Sequence, residues 1–232
     1  MTIIRVIDFE TSGEDPEKGA EVCEVGICDL HLEDRLIHAP RSWLCQVREM
    51  PPEVRAVHHI KLEQCKEFDP FDPEVMFCQP ELADAAAAHN ADFELKFFRP
   101  IVPVICTYKA ALRVWPDAPS HSNGALRYWL EDQGLIAPKD HLTHPTHRAG
   151  PDAYVTAHIL LALFDAGITG KQMVQWTREP SLLPLCPIGK FRGQPWSEVE
   201  HGFLSWMLNQ RDMGEDLKWN AQREIDRRRG GF

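Results

Sequence analysis

The chain has 232 residues, 44% of them hydrophobic, and a formal net charge of −10 from 25 basic and 35 acidic side chains. That length suits one large domain, or a medium domain with a small appendage, and the apolar content is enough for a sizeable core. The charge argues against broad electrostatic attachment to a polyanion, although acid gathered at a metal site is compatible with a nucleic-acid enzyme.

No apolar run approaches the length of a membrane span, and the Met1-Thr2-Ile3 start lacks the charged and apolar regions of a signal peptide. The seven cysteines, at 23, 28, 45, 65, 78, 106 and 186, contain no C-x-x-C pair. They read as reduced thiols of a cytoplasmic protein, several of them filling the core.

In chain order, Ile3-Ile4-Arg5-Val6-Ile7 is a β-branched run that predicts a buried strand ending in Asp8-Phe9-Glu10. Side chains alternate across a strand, so Asp8 and Glu10 share a face. Two adjacent carboxylates at the end of an apolar strand repel each other unless a cation lies between them or one is protonated. Taken alone, D-x-E is equally a strand end meeting solvent. Thr11-Ser12-Gly13 follows, small and polar, and suits a turn that lets a ligand approach the backbone.

Residues 20–28 and 42–47 read as two further strands, making a meander of three. Pro51-Pro52-Glu53 opens a short helix. Residues 67–80, rich in Pro and Asp, predict a loop. The four alanines Ala85–Ala88 fit a helix on propensity or a small buried strand feeding the next helix. A strand over 102–107, a helix over Asn123–Asp132 closed by Gly134, a polar loop over 141–150 and an apolar-striped helix over 152–164 complete an alternating α/β pattern.

Past residue 169 the texture changes. Prolines at 180, 184, 187 and 195 and the stretch Gly189-Lys190-Phe191-Arg192-Gly193 interrupt regular structure before an apolar segment at 203–208. A boundary at about 168–185 divides residues 1–168 from a small C-terminal module, 169–232. The last fifteen residues hold Lys218, Arg223, Arg227, Arg228 and Arg229 against two acids, which fits a solvated helical tail as well as a phosphate contact.

Asp92 and Asp152 each stand at a predicted helix start, where an acid is favoured whatever its function. His147 lies five residues before Asp152 on a flexible loop, placed to swing over a reaction centre as a core imidazole cannot. His141, His144 and His147 in regular triples also fit a zinc site, but no cysteine lies nearby and the strand-end acids prefer hard cations.

The order D-x-E, D, H-x4-D resembles the DEDDh (DnaQ-like) 3′→5′ exonuclease family. It is carried by Val6-Ile7-Asp8-Phe9-Glu10-Thr11-Ser12-Gly13, His89-Asn90-Ala91-Asp92-Phe93 and His147-Arg148-Ala149-Gly150-Pro151-Asp152-Ala153, with Val57-His58-His59-Ile60 between the first two. Pro151 departs from the family's third motif, at a helix start where proline is tolerated. Within the family, Ser122-Asn123-Gly124-Ala125-Leu126 and the Gly189-Lys190-Phe191-Arg192-Gly193 module resemble the exodeoxyribonuclease X group.

The resemblance implies an RNase H-like fold, a mixed five-stranded sheet flanked by helices, over residues 1–168. It implies metal-dependent hydrolysis at DNA 3′ ends, single-stranded or duplex, releasing nucleoside 5′-monophosphates in DNA repair. Asp8, Glu10 and Asp152 would hold the ion that binds the attacking water, and Asp8 with Asp92 a second, as Mg²⁺ with Mn²⁺ able to substitute. His147 would be the general base, an imidazole's ordinary pKa lying close to working pH. Thr11 and Ser12 would meet the terminal nucleotide near its 3′ hydroxyl, and Phe9, His89, Asn90 and Phe93 would line its pocket. The alternatives are an RNA 3′-end exonuclease of the same fold and a nucleic-acid-binding module without catalysis.

Overall fold

The computed structural model describes residues 2–72 and 83–230. At its centre β1 (Ile3–Thr11) pairs antiparallel with β2 (Val22–His31) from Ile3 opposite His31 to Thr11 opposite Val22, with an irregularity between Glu10 and Thr11. The short strands β3 (Leu36–Ile37) and β4 (Arg41–Leu44) both pair antiparallel with β2. On the other side β5 (Ala85–Ala88) runs parallel to β1, and β6 (Val104–Cys106) parallel to β5. Among the described residues the sheet holds six strands in the order β3-β2-β1-β5-β6, with β4 also on β2. Five positions across the sheet match the five-stranded expectation, because β3 and β4 share one edge of β2.

Alternation along β1 assigns its two faces. Ile4 and Val6 join one core cluster with the helix Ala149–Asp165, while Ile7 and Phe9 join another with Val25 and Ile27. The helix Ala149–Asp165 buries Val155, Ile159, Leu160 and Leu163, and an apolar stripe this wide belongs to a helix enclosed by core. Between these clusters Ala87 and Ala88 are fully buried on alternate faces of β5. A strand enclosed by a packed core on each face has room only for small side chains, so packing overrides alanine's helical propensity.

The helix Pro52–His58 starts on Pro52, where the missing N–H leaves no bond unmade. Of the expected loop at 67–80, residues 67–72 carry neither helix nor strand, and the remainder lies outside the described residues, as does Cys78. The six described cysteines are buried free thiols. Among the described residues no single helix is long and apolar enough to cross a membrane.

In the helix Gly170–Thr177, Met173 lies fully buried in the same core as Val6, and the Thr177 hydroxyl accepts the Cys106 N–H at 2.7 Å. This helix therefore packs with the sheet core. A separate apolar cluster follows, built on Cys186, Phe191, Trp196, Leu204 and Met207 and closed by Ile225 from the helix Glu215–Arg228.

Candidate active site

Asp8 and Glu10 lie on the β1 face that carries Ile4 and Val6, and that face is covered by the helix Ala149–Asp165. The first turns of this helix bring Asp152 over the strand end. One carboxylate oxygen from each of Asp8, Glu10 and Asp152 lies within 4.8 Å of the other two. Gly26 permits the approach. It stands opposite Asp8 in β2, and a Cβ there would sit 2.0 Å from the Ala149 carbonyl.

Glu24, opposite Glu10 in the same ladder, is 1% exposed. It accepts two bonds from Arg148, at 2.8 and 2.6 Å, and the Ala149 N–H at 3.1 Å. A carboxylate at a helix N-terminus is favoured by the unpaired amides and the helix dipole, so Glu24 anchors the turn that carries Asp152. Asn123 holds that turn too, donating to the Asp152 carbonyl at 3.3 Å and to the Thr156 hydroxyl at 2.6 Å.

Burial raises all three carboxyls, and for Asp8 and Glu10 repulsion from neighbouring acids adds to it. Asp8 is pushed well above its ordinary value by desolvation and then by Asp152 and Glu10. Glu10 is pushed up to about 8 by burial and then Asp152. Asp152 reaches about 6, its burial partly offset by His147. Among the described residues no lysine or arginine forms an ion pair with any of the three. Arg148 lowers Glu10 only through space, since its guanidinium is engaged by Glu24. An all-oxygen set without counter-charge fits a hard divalent cation.

His147 sits on the exposed loop before this helix with a left-handed φ of 56°, and its backbone N–H donates to Asp152 Oδ2 at 3.1 Å. The bond is made by the backbone and not by the imidazole, and it holds the His147 loop against the helix-start acid.

Asp92 lies elsewhere. Its carboxylate is 58% exposed and pairs with Lys109 Nζ at 2.8 Å, outside the three-acid group. The helix begins later than expected, at Glu94–Phe97, after Asn90 turns through a left-handed φ of 68°. That frame points position 94 inward. Glu94 is 4% exposed, and its Oε2 has no hydrogen-bond partner among the described residues. It raises Asp8, and it is itself pushed up to about 8 by burial, with Glu10 and Asp92 adding. Sequence reasoning passed over Glu94. The available signal was an acid set among Phe93, Leu95, Phe97 and Phe98, one helical turn from the buried Ala91.

The nucleotide-pocket residues divide. Phe9 is corrected: it is odd-numbered on β1, so it faces away from the acids, 5% exposed with its ring edge-on to Phe71 at 5.2 Å. His89 is also corrected. Its Nδ1 meets the Thr107 hydroxyl at 3.0 Å and its Nε2 the His121 carbonyl at 2.7 Å, while burial lowers it to about 4, so it is a neutral internal brace.

Thr11 donates its hydroxyl to the Gly13 carbonyl at 2.6 Å, and Ser12 Oγ accepts the Glu21 N–H at 3.0 Å. Both hydroxyls shape the turn, and each keeps capacity for a further bond, Ser12 its O–H and Thr11 its lone pairs. Asn90 is exposed and Phe93 half-buried, its ring 5.4 Å from Phe97. A groove of about 880 Å³ is lined by Ser12, Asp92, Lys96 and Arg99, and none of the three clustered acids lines it.

No protein-family model matches the chain. It is 32% identical over 234 residues to Exodeoxyribonuclease 10 of Escherichia coli (strain K12), spanning 97% of this chain and 99% of that relative. The chain belongs to the DnaQ-like 3′→5′ exonucleases.

The exonuclease also matches a solved structure of Exonuclease X in complex with 5′ overhanging duplex DNA. The TM-score is 0.61 at 27% identity, covering 75% of this chain and 99% of that one. The nuclease domain of 3′hExo, a DEDDh family member bound to rAMP, gives a TM-score of 0.55 at 18% identity and shares the RNase H-like fold. It covers 71% of the exonuclease and 92% of that domain.

Proposed function

We propose that this exonuclease removes nucleoside 5′-monophosphates from DNA 3′ ends, with Asp8, Glu10, Asp152 and Glu94 holding two Mg²⁺ ions that Mn²⁺ can replace. The observation that carries the reading is the convergence of three acids, from β1 and from a helix far along the chain, within 4.8 Å, with no ion pair to a lysine or arginine among the described residues. Glu94 takes the place first assigned to Asp92, because Asp92 is neutralised by Lys109 while Glu94 is buried with an unpartnered oxygen.

Bound divalent metal supplies charge neutralisation at the scissile phosphate and lowers the pKa of the attacking water. The four carboxylates fix that charge at one end of β1, and Glu24 with Arg148 keeps Asp152 in register with it. His147 accepts the water's proton from the loop beside Asp152. Asn90 and Phe93 meet the terminal nucleotide at the mouth of the site. The nuclease portion runs through Thr177, with the module after it as an accessory.

DNA as substrate is supported by the relative named an exodeoxyribonuclease, and a place in DNA repair is part of the same reading. Cytoplasmic residence is supported by the free thiols. The test is incubation of 5′-labelled single-stranded DNA, duplex DNA and RNA with and without Mg²⁺. A metal-dependent ladder shortening from the DNA 3′ end is expected; no metal-dependent release from any of the three would overturn the reading.

A further inference from the structure

The Gly189-Lys190-Phe191-Arg192-Gly193 turn is not used by the active site. Gly189 and Gly193 adopt left-handed φ values of 62° and 79°, and a Cβ on Gly189 would lie 2.9 Å from the Phe203 ring. The turn is therefore pressed onto Phe203. Phe191 points inward, 7% exposed and 5.0 Å from the Phe203 ring, while Lys190 and Arg192 on either side of it are exposed. The stack continues outward: Phe203 lies 5.1 Å from Trp206 at an interplanar angle of 30°, and Trp206 is 47% exposed.

A large aromatic left half open at one end of a stack, with Lys190 over the Phe191 ring at 4.8 Å and Arg192 exposed at the other end, matches what single-stranded nucleic acid requires. Bases stack on the ring without regard to sequence, and phosphates meet the cations. Charge is distributed to suit. Residues 178–232 hold nine basic and eight acidic side chains, whereas residues 1–177 hold sixteen and twenty-seven. Lys190 pairs with Glu200 at 3.0 Å, but both side chains are more than 60% exposed, so the pair is weak and gives way to a phosphate.

We propose that Trp206, Lys190 and Arg192 form a docking platform for the single-stranded DNA segment upstream of the 3′ end, and that the module holds long substrates on the enzyme. This rests on the nuclease reading above.

The test uses the full-length protein in two assays. Binding of a fluorescent 20-nucleotide single strand is followed by anisotropy in EDTA across a salt titration, and Mg²⁺-dependent cleavage is followed on a trinucleotide too short to reach the module. Lys190→Glu with Arg192→Glu should weaken binding about tenfold or more and reduce the slope of log affinity against log salt by about 1.4, two contacts at about 0.7 each. Trp206→Leu should weaken binding about tenfold with little change in slope. Trinucleotide turnover should stay at the wild-type rate in both.

Wild-type affinity and slope in both variants would overturn the platform and leave this surface to a protein partner. Equal weakening by Trp206→Leu for heparin, which has no bases, would also overturn it. Failure of the nuclease reading is separate: the wild type itself would not cleave the trinucleotide. All three side chains are exposed, and thermal melting confirms that the variants fold. Should the charge reversals lower the melting point, Lys190→Gln with Arg192→Gln carries the same binding prediction at smaller size.

Discussion

Glu24 stands directly opposite Glu10 across β1 and β2, and only Glu24 has a cation of its own. Arg148 is bound by Glu24 through two short bonds, which leaves Glu10 free of an ion pair beside Asp8 and Asp152. Arg148→Ala strands a buried carboxylate. Its cost should be about 3 kcal/mol, at the lower end for a broken buried pair because Arg148 is one-third exposed. Urea unfolding measures this, and Glu24→Gln with Arg148→Ala should recover part of the loss. A single variant as stable as wild type would contradict the anchoring role.

Gly26→Ala should displace the start of the helix Ala149–Asp165, since the new methyl would overlap the Ala149 carbonyl. The expected result is a folded protein of lower stability whose Mn²⁺ affinity falls at least tenfold by titration calorimetry. Unchanged affinity would show that Asp152 does not depend on this contact.

The two candidate acids after β5 separate cleanly. Glu94→Ala should lower metal-dependent cleavage by at least two orders of magnitude, as should Asp8→Ala. Asp92→Ala should cost under about tenfold, acting mainly through the buried Lys109, which loses its carboxylate and keeps only the Thr177 carbonyl. Circular dichroism checks the fold in each case. A reversed ranking would return the ligand role to Asp92.

His147→Ala should reduce turnover by roughly two to four orders of magnitude, the usual contribution of a general base. It should also flatten the acidic limb of the pH profile. A variant keeping its rate across pH 6–9 would remove the imidazole from the mechanism.

The raised carboxyls also make stability depend on pH. In metal-free protein Glu10 holds its proton up to about 8, whereas the unfolded chain releases it near 4.5. Between these values the native state binds more protons, so stability should fall as pH rises through the window. Divalent metal displaces those protons, so its affinity should climb over the same range. Thermal melts in EDTA at pH 5 and pH 8.5 test the sign, with Glu10→Gln expected to flatten the trend. A melting point that rose with pH by more in the wild type than in that variant would contradict it.

Much of this was legible from local pattern. The two-residue period of β1 already placed Asp8 and Glu10 on one face, and the apolar stripe at 152–164 already implied a core helix with Asp152 at its start. The same period placed Phe9 on the opposite face, so its exclusion from the pocket could have been read.

What the residues could not settle by themselves was where distant elements meet. Ala85–Ala88 becomes a strand because two cores close on it. His89 becomes a brace because Thr107 and the His121 carbonyl arrive beside it. Glu24 finds Arg148 across 124 residues. The left-handed turn at Asn90 starts the next helix at Glu94, so Glu94 is turned into the protein while Asp92 stays exposed against Lys109. Periodicity states which side chains share a face; only packing, through steric fit and the cost of burying an unpaired charge, decides which faces are brought together.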